Sequence, residues 1–75
     1  MTEPLVDARG LICPLPVLRT RKALKALPVG GTLRLLATDP ASESDVRAFC
    51  EQAGHELLEF ERDGEVLRYR LRRGR

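Results

Sequence analysis

The sequence predicts an α+β fold: a two-layer α/β sandwich in β-α-β-α-β-β order, with two helices packed on one face of a four-stranded mixed sheet. Three observations lead there. Two segments free of Gly and Pro, residues 17–27 and 42–53, repeat apolar residues at helical spacing. Residues 5–8 and 32–38 are short extended stretches, each ahead of one of those segments. The last third alternates apolar and charged residues on both sides of Asp63-Gly64, a hairpin signal. Two helices must cover one sheet face, and the other face is polar enough to meet water.

Leu5-Val6-Asp7-Ala8 forms the first strand and Gly10 breaks it. In the first helix Val17, Thr20, Leu24 and Leu27 recur at i, i+3, i+7 and i+10, one buried stripe, while Arg19, Arg21, Lys22 and Lys25 fall away from it. Pro28 ends the helix and Gly30-Gly31 turns the chain. Thr32 to Thr38 reads as a strand with Leu33, Leu35 and Ala37 on one face and Arg34 on the other, stopped by Asp39-Pro40. Ser42 followed by Asp45 resembles a capping box. Val46, Phe49, Cys50 and Ala53 then bury one face of a second helix that ends at Gly54. With Asp63-Gly64 as a two-residue turn, Phe60 faces Leu67, Leu58 faces Tyr69 and Glu59 faces Arg68. Leu58, Phe60, Leu67, Tyr69 and Leu71 line the core side, and Glu59, Glu61, Arg68 and Arg70 line the other. Arg72, Arg73 and Arg75 remain as a loose basic tail.

A chain of 75 residues, 43% apolar, leaves room for one domain, 1–75, and for no large substrate cavity. Two cysteines do not make a disulfide scaffold, and one histidine with two thiols is too few for a zinc site, so no metal or cofactor is expected. No run of about 18 apolar residues and no leader pattern is visible, so a cytoplasmic protein without membrane association is expected. The net charge of +2 is unevenly spread: +4 over residues 1–38, −7 over 39–65 and +5 over 66–75. The hairpin register uses much of this imbalance as cross-strand pairing.

Cys13 is the chemically loaded position. With Cys13 as N-cap, Pro14 is N1, Leu15 N2 and Pro16 N3, so two of the four first-turn N–H donors are missing and the turn is stiff. The helix dipole then favours a thiolate by roughly 0.3–2 kcal/mol, or about 0.2–1.5 pK units. Arg9 and the basic helix face add to that effect. Gly10 permits the backbone turn before the thiol, and Asp7 either orients the Cys13 loop or stabilises a turn. The position of a thioredoxin-type resolving cysteine holds Pro16, and the single imidazole, His55, completes no Cys-His pair. A lone activated thiol suits a carrier that accepts a group and surrenders it to another protein. Cys50 sits on the apolar stripe of the second helix and reads as core. The alternative reading is a small regulatory or nucleic-acid-binding module using the basic helix and C-terminal arginines, though an aromatic content of 4% offers little to stack bases.

Asp7-Ala8-Arg9-Gly10-Leu11, Cys13-Pro14-Leu15-Pro16 and the Arg-Lys helix resemble the TusA/SirA sulfur-carrier family. The resemblance continues through Ala37-Thr38-Asp39-Pro40, Phe49-Cys50 and Gly54-His55-Glu56-Leu57 to the arginine-rich last strand. It implies the same β-α-β-α-β-β sandwich. It also implies a sulfurtransferase that lacks a complete active site of its own and carries sulfane sulfur as a Cys13 persulfide. The implied partners are a cysteine desulfurase or other sulfur donor and a downstream acceptor, in pathways that include 2-thiolation of tRNA uridine. A monomer is expected, without direct nucleic-acid binding. Leu15, where tRNA-thiolation members often carry an acid, presents an apolar contact beside the sulfur. It joins Arg19, Arg21, Lys22 and Lys25 as a candidate docking residue.

Overall fold

A computed structural model describes residues 3–75. The elements are β1 (Leu5–Ala8), α1 (Leu15–Lys25), β2 (Thr32–Ala37), α2 (Ser42–Ala53), β3 (Glu56–Asp63) and β4 (Val66–Arg72), the order expected from the sequence. They build one sheet in the order β1-β2-β4-β3, with β1 parallel to β2 and the other pairs antiparallel.

The core lies between the sheet and the two helices. Leu33, Leu35 and Ala37 of β2 and Leu67, Tyr69 and Leu71 of β4 point into it, because alternate residues of a strand share a face. Leu24 of α1 and Val46 and Cys50 of α2 close it from above, with Val17, Leu27 and Phe49 half-buried at its margin. Thr20 can sit in the buried stripe because its hydroxyl donates to the Pro16 carbonyl at 2.8 Å. Ser42 is buried for a related reason: its Oγ lies 2.7 Å from the Tyr69 hydroxyl, so each satisfies the other.

Three expectations need correction. The hairpin loop is Gly64-Glu65, closed by the pair Asp63–Val66, so Phe60 faces Tyr69, Glu61 faces Arg68 and Glu59 faces Arg70. Gly64 takes φ 61°, and a loop with glycine first needs a positive φ only there, whereas Asp63-Gly64 would force it on Asp63 as well. A bulge between Leu57 and Glu59 makes Leu58 the extra residue, so Leu57 rather than Leu58 packs on the core. Ser42 caps nothing. The α2 N-cap is Ala41 without a side-chain cap, since the Ser42 hydroxyl is committed to Tyr69.

Of the C-terminal arginines, Arg72 and Arg73 are not loose. Arg72 belongs to β4 and pairs with Glu56 at 2.6 Å. The Arg73 backbone exchanges hydrogen bonds with Gly30 and Gly31 at 2.8 and 2.9 Å, and its guanidinium donates to the Leu27 carbonyl beyond the end of α1. Gly74 N–H donates to His55 Nδ1 at 3.0 Å. On the outer sheet face Glu3 gathers Thr32, Arg34 (2.8 Å) and Arg70 (3.0 Å), and Arg68 pairs with Asp63 at 3.1 Å. The segregated charges of the sequence thus meet across the sheet.

Tyr69→Phe strands the buried Ser42 hydroxyl and should destabilise the protein by about 1–3 kcal/mol in urea denaturation. Adding Ser42→Ala should recover part of that loss, because the second orphaned group is then gone. A double variant as unstable as the sum of the two singles would contradict the pairing.

Candidate functional site

Because β1 and β2 are parallel and each feeds a helix, both strand-to-helix corners fall on the same edge of the sheet. Side chains of the second corner tie down the first. Gly10, at φ 79°, donates its N–H to Thr38 Oγ1 at 2.9 Å. Cys13 N–H donates to Asp39 Oδ2 at 2.8 Å, while Asp39 Oδ1 accepts from Ala41 N–H at 3.1 Å. One carboxylate therefore closes its own turn ahead of α2 and fixes the backbone of the cysteine.

The helix start differs from the one expected. Cys13 is not the N-cap: α1 begins at Leu15, with Pro14 as N-cap and Pro16 at the second helical position. Leu15 N–H closes a turn onto the Ile12 carbonyl at 2.9 Å, and the Leu18 N–H bond to Pro14 at 3.1 Å opens the helical ladder. The Cys13–Pro14 peptide is cis. Cys13 thus stands one residue outside the helix, in a turn between two backbone anchors, with its side chain exposed.

Its electrostatics also run against expectation. The thiol is held above the ordinary cysteine value, first by the Asp45 carboxylate, then by desolvation and by the negative charge of Asp39. Arg9 does not offset them, because its guanidinium is bound to Asp7 at 2.9 and 2.8 Å. That side-chain bond, with the Arg9 backbone N–H, holds the Asp7 carboxyl down to about 2. Asp7 and Arg9 therefore satisfy each other, and the hydrogen bonds that hold the Cys13 turn come from Thr38 and Asp39.

Around the thiol, Ile12, Leu15 and Leu18 are exposed by 70%, 43% and 48%. Arg19, Arg21, Lys22 and Lys25 continue along α1, all exposed and, among the described residues, without an ion-pair partner. Cys50 is 4% exposed in the core, where burial pushes its thiol up to about 11. Sequence reasoning missed Asp39, Asp45, Ile12 and Leu18. Asp39 had a signal, an aspartate two residues before a free amide at a strand end. Ile12 and Leu18 had one too, as large apolar residues off the core stripe.

The chain matches the family described as Sulfurtransferase TusA over residues 5–73. It is 43% identical to the sulfur carrier protein TusA of Allochromatium vinosum, covering 91% of this chain and 90% of that one. It is 38% identical to the Pseudomonas putida sulfur carrier protein TusA, over 95% of this chain and 89% of the other. A Bacillus subtilis relative, YrkF, is 44% identical over 93% of this chain, which spans 38% of that longer protein. The crystal structure of a SirA-like protein from Desulfitobacterium hafniense superposes with a TM-score of 0.81 at 32% identity, covering 95% of this chain and 97% of that one.

Asp45→Asn removes the first cause of the raised thiol value, so the Cys13 pKa should fall and alkylation at neutral pH should quicken. The pH profile of iodoacetamide modification reads this directly. A profile unchanged or shifted to higher pH would show that Asp45 does not govern the thiol.

Proposed function

Since the chain belongs to the TusA sulfurtransferase family, we propose that this sulfur carrier bears its cargo as a persulfide on Cys13. The observation that carries the reading is the contrast between the two thiols: Cys13 is exposed on a fixed turn, and Cys50 is sealed in the core. A donor protein, such as a cysteine desulfurase, presents a persulfide of its own. Cys13 loses its proton to water, and the thiolate attacks the terminal sulfur of the donor. The new S–S bond forms as the donor's S–S bond breaks, and the electron pair leaves on the donor cysteine, which takes up a proton. Passing the sulfur to an acceptor thiolate repeats the exchange in the other direction, with no net oxidation.

Each local feature supports one part of that cycle. The raised thiol value keeps unloaded Cys13 largely protonated, which slows stray oxidation between encounters. The Asp39 bond fixes the backbone from which the sulfur projects. Gly10, Pro14 and Pro16 shape the turn, and Asp7 accepts the Arg9 backbone N–H ahead of it. Ile12, Leu15 and Leu18 give donor and acceptor an apolar contact next to the sulfur, and the cations of α1 attract acidic surfaces. The apolar Leu15 leaves tRNA 2-thiouridine synthesis as one destination of the sulfur among several, within the cytoplasm. The regulatory or nucleic-acid alternative loses support from the anchoring of Arg72 and Arg73.

Incubation with a cysteine desulfurase and cysteine, without reductant, should add reducible sulfur to the parent protein and to Cys50→Ser, seen by intact mass. Cys13→Ser should gain none. Equal loading of the two variants would defeat the assignment.

A further inference from the structure

The sheet has two outer strands, and they are guarded very differently. β3 is bulged at Leu58 and carries Glu56, Glu59, Glu61 and Asp63, devices that discourage added strands. β1 has no proline, lysine or bulge within Leu5–Ala8, and Leu5 is 59% exposed. The Pro4 carbonyl accepts from Arg34 N–H at 2.9 Å, so Pro4 points its backbone toward β2. By the alternation of a parallel ladder, Val6 and Ala8 do the same, and Leu5 and Asp7 direct their N–H and C=O groups outward. Among the described residues no strand pairs with that side.

Beside this edge, under α1, runs a groove of about 700 Å³. Arg19, Lys22, Ala23 and Ala26 recur at i, i+3, i+4 and i+7, a second helical stripe beside the core stripe, and together they wall the groove. The two alanines keep the wall low. The two cations are exposed and, among the described residues, without an ion-pair partner, and Asp7, the acid among the described residues that line the groove, is already bound to Arg9. An open strand edge, an apolar floor and unspent positive charge therefore coincide.

We propose that the β1 edge and the groove under α1 dock an extended, acidic segment of a partner protein, which joins the sheet as a fifth strand. Backbone bonds to Leu5 and Asp7 would supply the pairing. Alternate side chains of the segment would enter the groove, where carboxylates meet Arg19 and Lys22, and the others would lie beside Leu5. A bound strand would run along β1 to the corner that holds Cys13, so a docked partner is brought to the thiol from one side. The groove shares Arg19 and Lys22 with the cations of the persulfide reading, and the proposal adds to that reading the strand edge and the extended form of the partner segment; binding itself needs no thiol, so the two can fail separately.

The test uses the full chain and a short capped peptide alternating valine and glutamate, read by amide hydrogen exchange and by titration. The peptide should slow exchange of the Leu5 and Asp7 amides and leave β3 unchanged. Arg19→Glu with Lys22→Glu should weaken the glutamate peptide about tenfold and should confer binding of the matching valine–lysine peptide. Cys13→Ser should bind as the parent does. No protection of β1, or protection indifferent to charge reversal, would overturn the proposal. So would protection that grows with protein concentration in the absence of peptide, which would assign the edge to a second copy of this chain.

Discussion

Asp39 receives the Cys13 amide on one oxygen and the Ala41 amide on the other, so a single side chain joins the turn ahead of α1 to the turn ahead of α2. Charge-assisted bonds of this kind are stronger than neutral ones and hold direction as well as distance. The arrangement is possible only because β1 and β2 are parallel neighbours, which brings both corners to one sheet edge. The buried rows of β2 and β4, the helical stripes over them and the Tyr69–Ser42 bond beneath α2 fix where that edge lies. The fold thus serves to place one carboxylate beside one cysteine backbone.

The same carboxylate sets a tension. Asp45 foremost, then desolvation and Asp39, raise the thiol, even as Asp39 fixes its position. A nucleophile held ready as thiolate would be more reactive in solution, yet more exposed to oxidants. A carrier of this size encloses no reaction chamber, so its thiol meets solvent until a partner covers it. Protonation at rest and rigid placement fit that existence, and under the proposed reading a partner docked on the exposed Ile12, Leu15 and Leu18 would supply the environment that this chain lacks.

Much of this was legible in the residues. The helical stripes at Val17-Thr20-Leu24-Leu27 and Val46-Phe49-Cys50-Ala53, the alternation of β2 and the Pro-flanked cysteine each have a local cause, and each appears in the sequence as spacing. The errors share another cause. The bulge at Leu58, the one-residue shift of the hairpin loop and the loss of Ser42 as a cap are decided by contacts between distant segments. Asp39 reaches Cys13 across 26 positions, and Arg73 reaches the Leu27 carbonyl across 46. The raised thiol value has a similar origin: the helix start is local, whereas Asp45 and Asp39 come from the second corner.

The central claim is that this sulfur carrier works through a cysteine whose backbone is held by Asp39. It is tested most directly by the single-turnover rate of sulfur transfer from a persulfidated cysteine desulfurase to the parent protein and to Asp39→Ala, with folding of both verified by circular dichroism. Loss of the clamp should slow transfer about tenfold or more through misplacement of the sulfur, even though removal of a nearby negative charge makes the thiol easier to ionise. A folded Asp39→Ala protein that accepts sulfur as fast as the parent would contradict the account.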